Sequence, residues 1–108
     1  MIRFVSTFRL KPGFDPDESF QLWQDVHVPR VVSMLKKSYG LKKYTVSRIL
    51  SAPEAEPEYF GMAQIWFDNL DNAKKGTTYM LSLRQDEFTD RITDVRRVFL
   101  IEEKEMQL

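Results

Sequence analysis

The chain contains no cysteine, and histidine occurs once, at position 27, among its 108 residues. Without cysteine there are no disulfides, thiolate metal sites or cysteine nucleophiles, and one histidine is too few for a zinc cluster. Glycine is equally scarce: the four glycines are scattered and match no phosphate-binding loop, and no G-x-S-x-G nucleophile elbow is present. We therefore expect neither a metal ion nor a cofactor.

Net charge is also lacking, because sixteen basic residues balance sixteen acidic ones. No long-range field then favours nucleic acid or an anionic membrane. The N-terminal stretch MIRFVSTFRLKPG has no apolar run long enough for a signal peptide or a membrane segment. From this and the length we expect one domain over residues 1–108, in a cytoplasmic protein that binds neither nucleic acid nor membrane.

Aromatic side chains, in contrast, are abundant: eight Phe, four Tyr and two Trp. Each buries about 150–250 Å² when packed, which is a large area for so small a core. Either the core is unusually aromatic, or some of these rings line a pocket or an interface.

The N-terminal half has the clearest pattern. Residues 2–10 alternate, with Ser6 as the one polar interruption of the apolar side, which predicts a half-buried strand. The run Asp15-Pro16-Asp17-Glu18 predicts a helix start with Asp15 as the N-cap. Apolar residues then recur at three- and four-residue steps as far as Tyr39-Gly40, which predicts one long helix.

The rest of the chain predicts strands at 41–50, 59–67 and 95–103, with a polar loop at 51–58. Residues 69–92 have a weaker helical pattern, which Gly76 and the pair Thr77-Thr78 should divide, with a second short helix at 86–94. The resulting order β-α-β-β-α-β is that of a ferredoxin-like, split βαβ fold of the α+β class. Its four-stranded antiparallel sheet carries helices on one face.

The strand at 59–67 is apolar on both alternating faces: Tyr59, Ala63, Ile65 and Phe67 lie on one, and Phe60, Met62 and Trp66 on the other. A sheet covered by helices on one side only would leave the second face bare. A second copy of the chain would cover that face, so we expect a homodimer with twofold symmetry.

His27 is the principal candidate for chemistry, because it lies two residues before Pro29 inside the long helix. Proline cannot donate to the carbonyl of Asp25, and Val28 before it should leave helical angles, so a kink is expected. A carbonyl freed by the kink would hold one ring nitrogen and leave the other as a base or ligand. The alternative is a core histidine that hydrogen-bonds the backbone and has no chemical role.

Other residues are candidates for binding. Arg30 could neutralise an anionic substrate, or pair with a carboxylate such as Asp25. Gln64 and Ser6 interrupt apolar strand faces and need polar partners, which could be a ligand, water or each other. Four aromatic side chains carry a polar hydrogen on a flat apolar body, and could either bind a planar hydrophobic molecule or belong to the core: Trp23, Tyr44, Tyr59 and Trp66.

The stretches KPGFDPDESFQLWQDVHVPRV, GLKKYTVSR, YFGMAQIWF and VFLIEE together resemble the EthD family of the dimeric α+β barrel superfamily. The resemblance spans nearly the whole chain and fits residues 69–92 least well. It implies a ferredoxin-like protomer whose sheet packs against that of a second protomer, and it places His27 at the family's recurring histidine. Relatives in the superfamily include cofactor-free monooxygenases, muconolactone isomerases, polyketide cyclases and barrels without assigned chemistry.

Two functional hypotheses follow. The first is a small enzyme acting on a hydrophobic cyclic or phenolic metabolite by cofactor-independent proton transfer, with His27 as acid or base; its reaction would be that of an isomerase, cyclase, lyase or monooxygenase. The second is a non-catalytic dimer that binds or carries a small apolar molecule as an accessory to a pathway. Haem binding through His27 is disfavoured, because haem-degrading relatives carry their histidine on the second helix and an asparagine where this first strand has Ser6.

Overall fold

The computed structural model describes residues 1–50, 59–82, 86–92 and 97–108. Four strands form one antiparallel sheet in the order β2-β3-β1-β4. Their bounds are β1 Ile2–Phe8, β2 Leu41–Arg48, β3 Gly61–Phe67 and β4 Arg97–Glu102. With the helices between them this is the predicted ferredoxin-like α+β fold. The loop predicted at 51–58 lies outside the described residues.

The first helical region begins where the sequence predicts. The Asp15 carboxylate accepts from the Glu18 amide at 2.8 Å, and Pro16 occupies the first turn of helix α1, Pro16–Leu22. A single π turn, Trp23–His27, then leads into α2, Val28–Leu35. The region ends before Gly40, whose φ of 64° suits a glycine after a helix.

The expected distortion at Pro29 takes a different form from the one predicted. Val28 keeps helical angles, with φ −60° and ψ −49°, so the prediction that it leaves them was wrong. Its amide donates instead to the carbonyl of Trp23, five residues back. The wider π turn absorbs the proline within a continuous helical path, because it lengthens the hydrogen-bonded loop by one residue.

The second helical region also differs from the prediction. Helix α3, Leu70–Ser82, runs without a break through Gly76, which was expected to divide it. Gly76 is buried, and a β-carbon there would lie 2.9 Å from Cε1 of Phe67. The glycine therefore permits close packing of α3 on the sheet. Of the short helix expected at 86–94, the structure has a 3₁₀ turn at Thr89–Arg91, and residues 93 and 94 lie outside the described part.

The core lies between the helices and one face of the sheet, in two clusters. One surrounds Leu35 and Phe67, and the other surrounds Trp23 and Phe88. Phe60, expected on the opposite face with Trp66, packs instead against the second cluster, with its ring centroid 6.4 Å from that of Trp23. The chain bends inward just before β3. Gly61 leaves room there for the Trp23 ring, whose Cζ3 atom would lie 2.7 Å from a β-carbon at this position.

The other face of the sheet carries charged and aromatic side chains and is covered by no described element. Arg3 donates to Gln64 at 2.8 Å and pairs with Glu103 at 3.3 Å. The Trp66 ring lies 5.6 Å from the Arg3 guanidinium and 4.8 Å from the Lys43 ammonium. We call this side the open face. In the described part of the chain, no helix has the length and apolarity needed to cross a bilayer.

Candidate functional site

His27 lies at the end of the π turn, on the helical wall of a cavity that the helices and the sheet enclose. Its ring packs at 5.3 Å from the ring of Phe88, and its side chain is 18% exposed. The π turn thus turns the imidazole inward between apolar neighbours. π turns inside α-helices are common at functional sites.

The imidazole has a carboxylate partner. Nδ1 of His27 lies 2.6 Å from Oδ2 of Asp86, whose side chain is only 8% exposed. The two residues are 59 positions apart, so the fold brings them together rather than a local motif. The sequence predicted that a backbone carbonyl would accept from the ring. The structure has a carboxylate in that role, and a charge-assisted hydrogen bond of this kind is stronger.

Asp86 is itself fixed by its own turn. Oδ1 accepts from the Thr89 amide at 2.8 Å, and the Asp86 amide donates to the Thr89 hydroxyl at 3.1 Å. The guanidinium of Arg30 lies 3.3 Å from Oδ2. Burial by itself would raise the pKa of Asp86, but the hydrogen bonds from Thr89 and His27 outweigh it, so the pKa lies below its ordinary value.

An ionised Asp86 can only accept hydrogen bonds, so the short contact requires the proton on Nδ1 of His27. In the neutral ring, Nε2 is then the nitrogen with a free lone pair. Among the described residues, no group hydrogen-bonds Nε2. The pair is therefore arranged as a base held in one tautomer, with an anion behind it.

The cavity has a volume of about 50 Å³. A single water needs roughly 10–15 Å³ and a cavity that binds benzene has about 150 Å³, so the space holds a few waters and must widen to admit a ring. Its polar side consists of His27, Arg30, Asp86 and Thr89. Most of the remaining described lining is apolar, including Phe4, Phe8, Trp23, Val31, Met34, Ala63 and Ile92.

Trp23 and Tyr44 form part of the wall next to the sheet. Trp23 is fully buried and stacks on Phe88, with ring centroids 5.3 Å apart and planes 6° from parallel. Its indole, whose N–H can only donate, interacts with the Tyr44 side chain. Burial raises the pKa of Tyr44 well above its ordinary value, the interaction with Trp23 opposes that shift, and the charge of Asp86 adds to it.

The structure brings together some of the residues that the sequence singled out and separates others. His27, Trp23, Arg30 and Tyr44 all line the cavity, as does Ser6. Gln64 and Trp66 point to the open face, with the sheet between them and the cavity. Tyr59 precedes β3, where the Arg9 guanidinium lies 5.9 Å from its ring, and it is not part of the described lining.

The residues that sequence reasoning missed come from one segment, which supplies Asp86, Phe88 and Thr89. The only local signal was the spacing of Asp86 and Thr89, which suits a capped turn. Within the described residues, no group of three or more His, Asp or Glu side chains could hold a metal ion. In the described part of the chain, the charged and titratable groups of the helical side of the cavity are one imidazole, one carboxylate and one guanidinium.

Comparison with known proteins supplies the family. Residues 11–94 match the model of the EthD domain. Structural similarity links the chain to an EthD family protein from Bacillus halodurans, with 16% identity, TM-score 0.64 and coverage of 96% of this chain and 100% of that one. An EthD-like protein from Ralstonia eutropha is similar with 21% identity, TM-score 0.65 and coverage of 94% and 90%.

A third similar structure, from Bacteroides fragilis, is described as a dimeric protein of unknown function with a ferredoxin-like fold; it shares 13% identity, TM-score 0.60 and coverage of 94% and 95%. No curated protein sequence matches this chain. At such identities the structural matches establish the shared fold, while the family model covers most of the sequence. The chain belongs to the EthD family.

Proposed function

We propose that the protein catalyses proton transfer on a small hydrophobic cyclic or phenolic metabolite, with His27 as the acid and base. The observation that carries this proposal is the 2.6 Å contact between Nδ1 of His27 and Asp86. It holds the ring in the tautomer whose Nε2 can accept a proton. An imidazole has the intrinsic pKa range best suited to such a step near neutral pH.

The charges around the imidazole support the step. When Nε2 takes a proton, the ring becomes a cation next to the Asp86 carboxylate, which stabilises it in place. Arg30, at 3.3 Å from the same carboxylate, adds a second positive charge on that side. The three groups then carry one net positive charge, which favours the anion that proton removal creates in the ligand.

The apolar walls support the choice of ligand. A hydrophobic ring would replace water against Phe4, Phe8 and Ile92 and leave its polar edge towards His27. Exclusion of water strengthens the electrostatic effects of the polar side. Proton abstraction next to a carbonyl or from a phenol needs no cofactor, and it can lead to isomerisation, cyclisation, elimination or reaction of the carbanion with oxygen.

We also propose that the protein is a homodimer formed through the open face. This face presents Phe99 at 51% exposure and the Trp66 ring among charged groups, whereas the other face of the sheet packs against the helices. The similar Bacteroides fragilis protein is described as dimeric. Sedimentation equilibrium at micromolar concentration should give twice the mass of one chain, and the mass of a single chain would refute the dimer.

The catalytic proposal is tested by hydrogen exchange on a simple carbon acid. Cyclohexanone is incubated with the protein in D₂O near neutral pH, and loss of its α-proton NMR signal is followed. We expect exchange above the buffer rate for the wild type. His27→Gln should lower the protein-dependent rate about 10²-fold or more, because a positioned base contributes roughly 10²–10⁴.

Lys75→Gln serves as a control, because Lys75 pairs with Asp71 on the exposed surface of α3 and is not part of the described cavity lining. It should leave the exchange rate unchanged. If cyclohexanone binds but exchanges no faster than in buffer, or if His27→Gln exchanges as fast as the wild type, the acid–base role is refuted. Binding without exchange, insensitive to pH between about 5 and 8, would instead indicate a carrier.

A further inference from the structure

Tyr44 lies on β2, on the sheet wall of the cavity, while His27 lies on the helical wall. A ligand in the cavity would therefore have the imidazole on one side and the phenol hydroxyl on the other. The proposed function uses only the first of these two groups. The second group, the Tyr44 hydroxyl, has hydrogen-bonding neighbours of its own.

The Trp23 indole, which is fully buried, interacts with the Tyr44 hydroxyl and can offer it only a donor. The hydroxyl proton therefore needs a different partner. Tyr44 is half-buried and lines the cavity, so a ligand or water oxygen in the cavity can accept that proton.

The hydroxyl also stays neutral. Burial raises the pKa of Tyr44 far above neutral pH, and the negative charge of Asp86 across the cavity acts in the same direction. Near neutral pH, Tyr44 is therefore a hydrogen-bond donor. A donor in an apolar enclosure binds an oxygen more strongly as negative charge develops on it.

We infer that Tyr44 donates a hydrogen bond to the oxygen of a compact ring ketone or phenol whose reacting atom faces His27. This inference rests on the proposed function for the role of His27, and it narrows the substrate class to rings that carry an oxygen next to the reacting position. Trp23 acts through Tyr44 as a positioning residue, because an indole N–H beside the hydroxyl cannot accept its proton.

The step balances without a further reactant. Nε2 takes a proton from the carbon next to the carbonyl, the electron pair of that C–H bond forms a carbon–carbon double bond, and the carbonyl π pair moves to the oxygen. Tyr44 keeps its own proton and hydrogen-bonds the resulting oxyanion. Return of the proton from Nε2 to a different carbon gives an isomer, with no change of oxidation state.

The test uses two fluorinated rings that differ in the group that Tyr44 would contact. Dissociation constants of 4-fluorophenol and 4-fluorotoluene are measured by ¹⁹F NMR titration against the wild type, Tyr44→Phe and Tyr79→Phe. Tyr79, on α3, is a matched control, because its ring packs against that of Tyr39 and it is absent from the described cavity lining. Thermal unfolding of each variant checks that it is folded.

We expect Tyr44→Phe to weaken binding of 4-fluorophenol roughly 3- to 10-fold, the effect of one hydrogen bond. It should leave 4-fluorotoluene unaffected, and Tyr79→Phe should change neither. Equal affinity of wild type and Tyr44→Phe for the phenol would overturn the inference, as would wild-type binding of 4-fluorotoluene as tight as that of 4-fluorophenol.

The two proposals fail separately. If Tyr44→Phe leaves phenol binding intact while exchange of cyclohexanone still depends on His27, the role of Tyr44 is refuted and the acid–base function remains. If phenol binding depends on Tyr44 while exchange does not depend on His27, the cavity binds oxygenated rings and the catalytic proposal is refuted.

Discussion

The two faces of the sheet each carry an arginine–carboxylate pair with the same separation, and they use it differently. Arg30 and Asp86 lie 3.3 Å apart inside the cavity, and Arg3 and Glu103 lie 3.3 Å apart on the open face. The Asp86 side chain is 8% exposed, whereas that of Glu103 is 38% exposed. The two guanidinium groups are both partly exposed, Arg30 at 36% and Arg3 at 28%, so the difference lies with the carboxylates: solvent screens Glu103 more than Asp86.

The same contrast extends to the tryptophans. Trp23 is fully buried on the helix side beside Tyr44, whereas Trp66 lies among cations on the open face. The helix side therefore holds its side chains in a packed core, while the open face is covered by no described element. Four substitutions test this comparison.

The largest effect is expected from Trp23→Ala. Removal of a fully buried indole leaves a cavity in the core and should lower the free energy of unfolding by about 3–5 kcal/mol. Urea denaturation at low protein concentration measures it, with Trp66→Ala as the matched change on the open face. An equal loss in both variants would contradict the proposed difference between the two faces.

Asp86→Asn comes next. It removes a buried charge that three neighbours stabilise, and it should lower the free energy of unfolding at neutral pH by about 1–3 kcal/mol. Urea denaturation again gives the value. The same variant should slow the cyclohexanone exchange, because Nδ1 loses its anionic partner.

The contribution of Asp86 to the free energy of unfolding should depend on pH. Since the pKa of Asp86 is lower in the folded state, its contribution is complete above the unfolded value, about 4, and is lost as pH falls through the folded value. The stability difference between wild type and Asp86→Asn should therefore shrink in acid. A difference that stays constant down to the acid unfolding limit would contradict this assignment.

A smaller effect is expected from Gly76→Ala. Helix propensity alone predicts a gain of about 1 kcal/mol, but the added methyl would lie 2.9 Å from Phe67 and overpack the core, at a cost of about 1–3 kcal/mol. We expect a net loss of stability in thermal or urea unfolding. A gain of stability in Gly76→Ala would show that the packing around Phe67 relaxes.

The smallest effect is expected from Glu103→Gln, which removes the charge of the exposed pair and keeps an oxygen to accept from Trp66. Exposed pairs contribute roughly 0–1 kcal/mol, so the unfolding free energy should change by less than about 1 kcal/mol, and added salt should remove the change. A loss equal to that of Asp86→Asn would mean that the open face is as protected from solvent as the cavity.

Local sequence patterns predicted the features that depend on neighbours in the chain. The cap at Asp15, the turn at Gly40 and the inward side of β1 all follow from short-range chemistry, and all are present. The element order then limited the topology to the ferredoxin-like fold. His27 was predicted as a candidate because it is the only histidine and lies two residues before Pro29.

The features that were missed depend on contacts between distant segments. Asp86 lies 59 residues from His27 in a stretch with weak periodicity, and no local pattern shows that a carboxylate will be buried. Gly76 was predicted to divide the helix, because the local pattern does not show that it packs against Phe67 of a different element. The inward turn of Phe60 likewise depends on the space that Gly61 provides for Trp23.

The π turn at Trp23–His27 has a consequence for how this fold varies among relatives. It contains one residue more than an α turn, so every side chain beyond it is rotated by about 100° relative to an uninterrupted helix. Loss of a single residue at this point would turn the position of the imidazole away from the cavity while leaving the sheet untouched. A one-residue deletion in this turn should therefore remove the contact between His27 and Asp86.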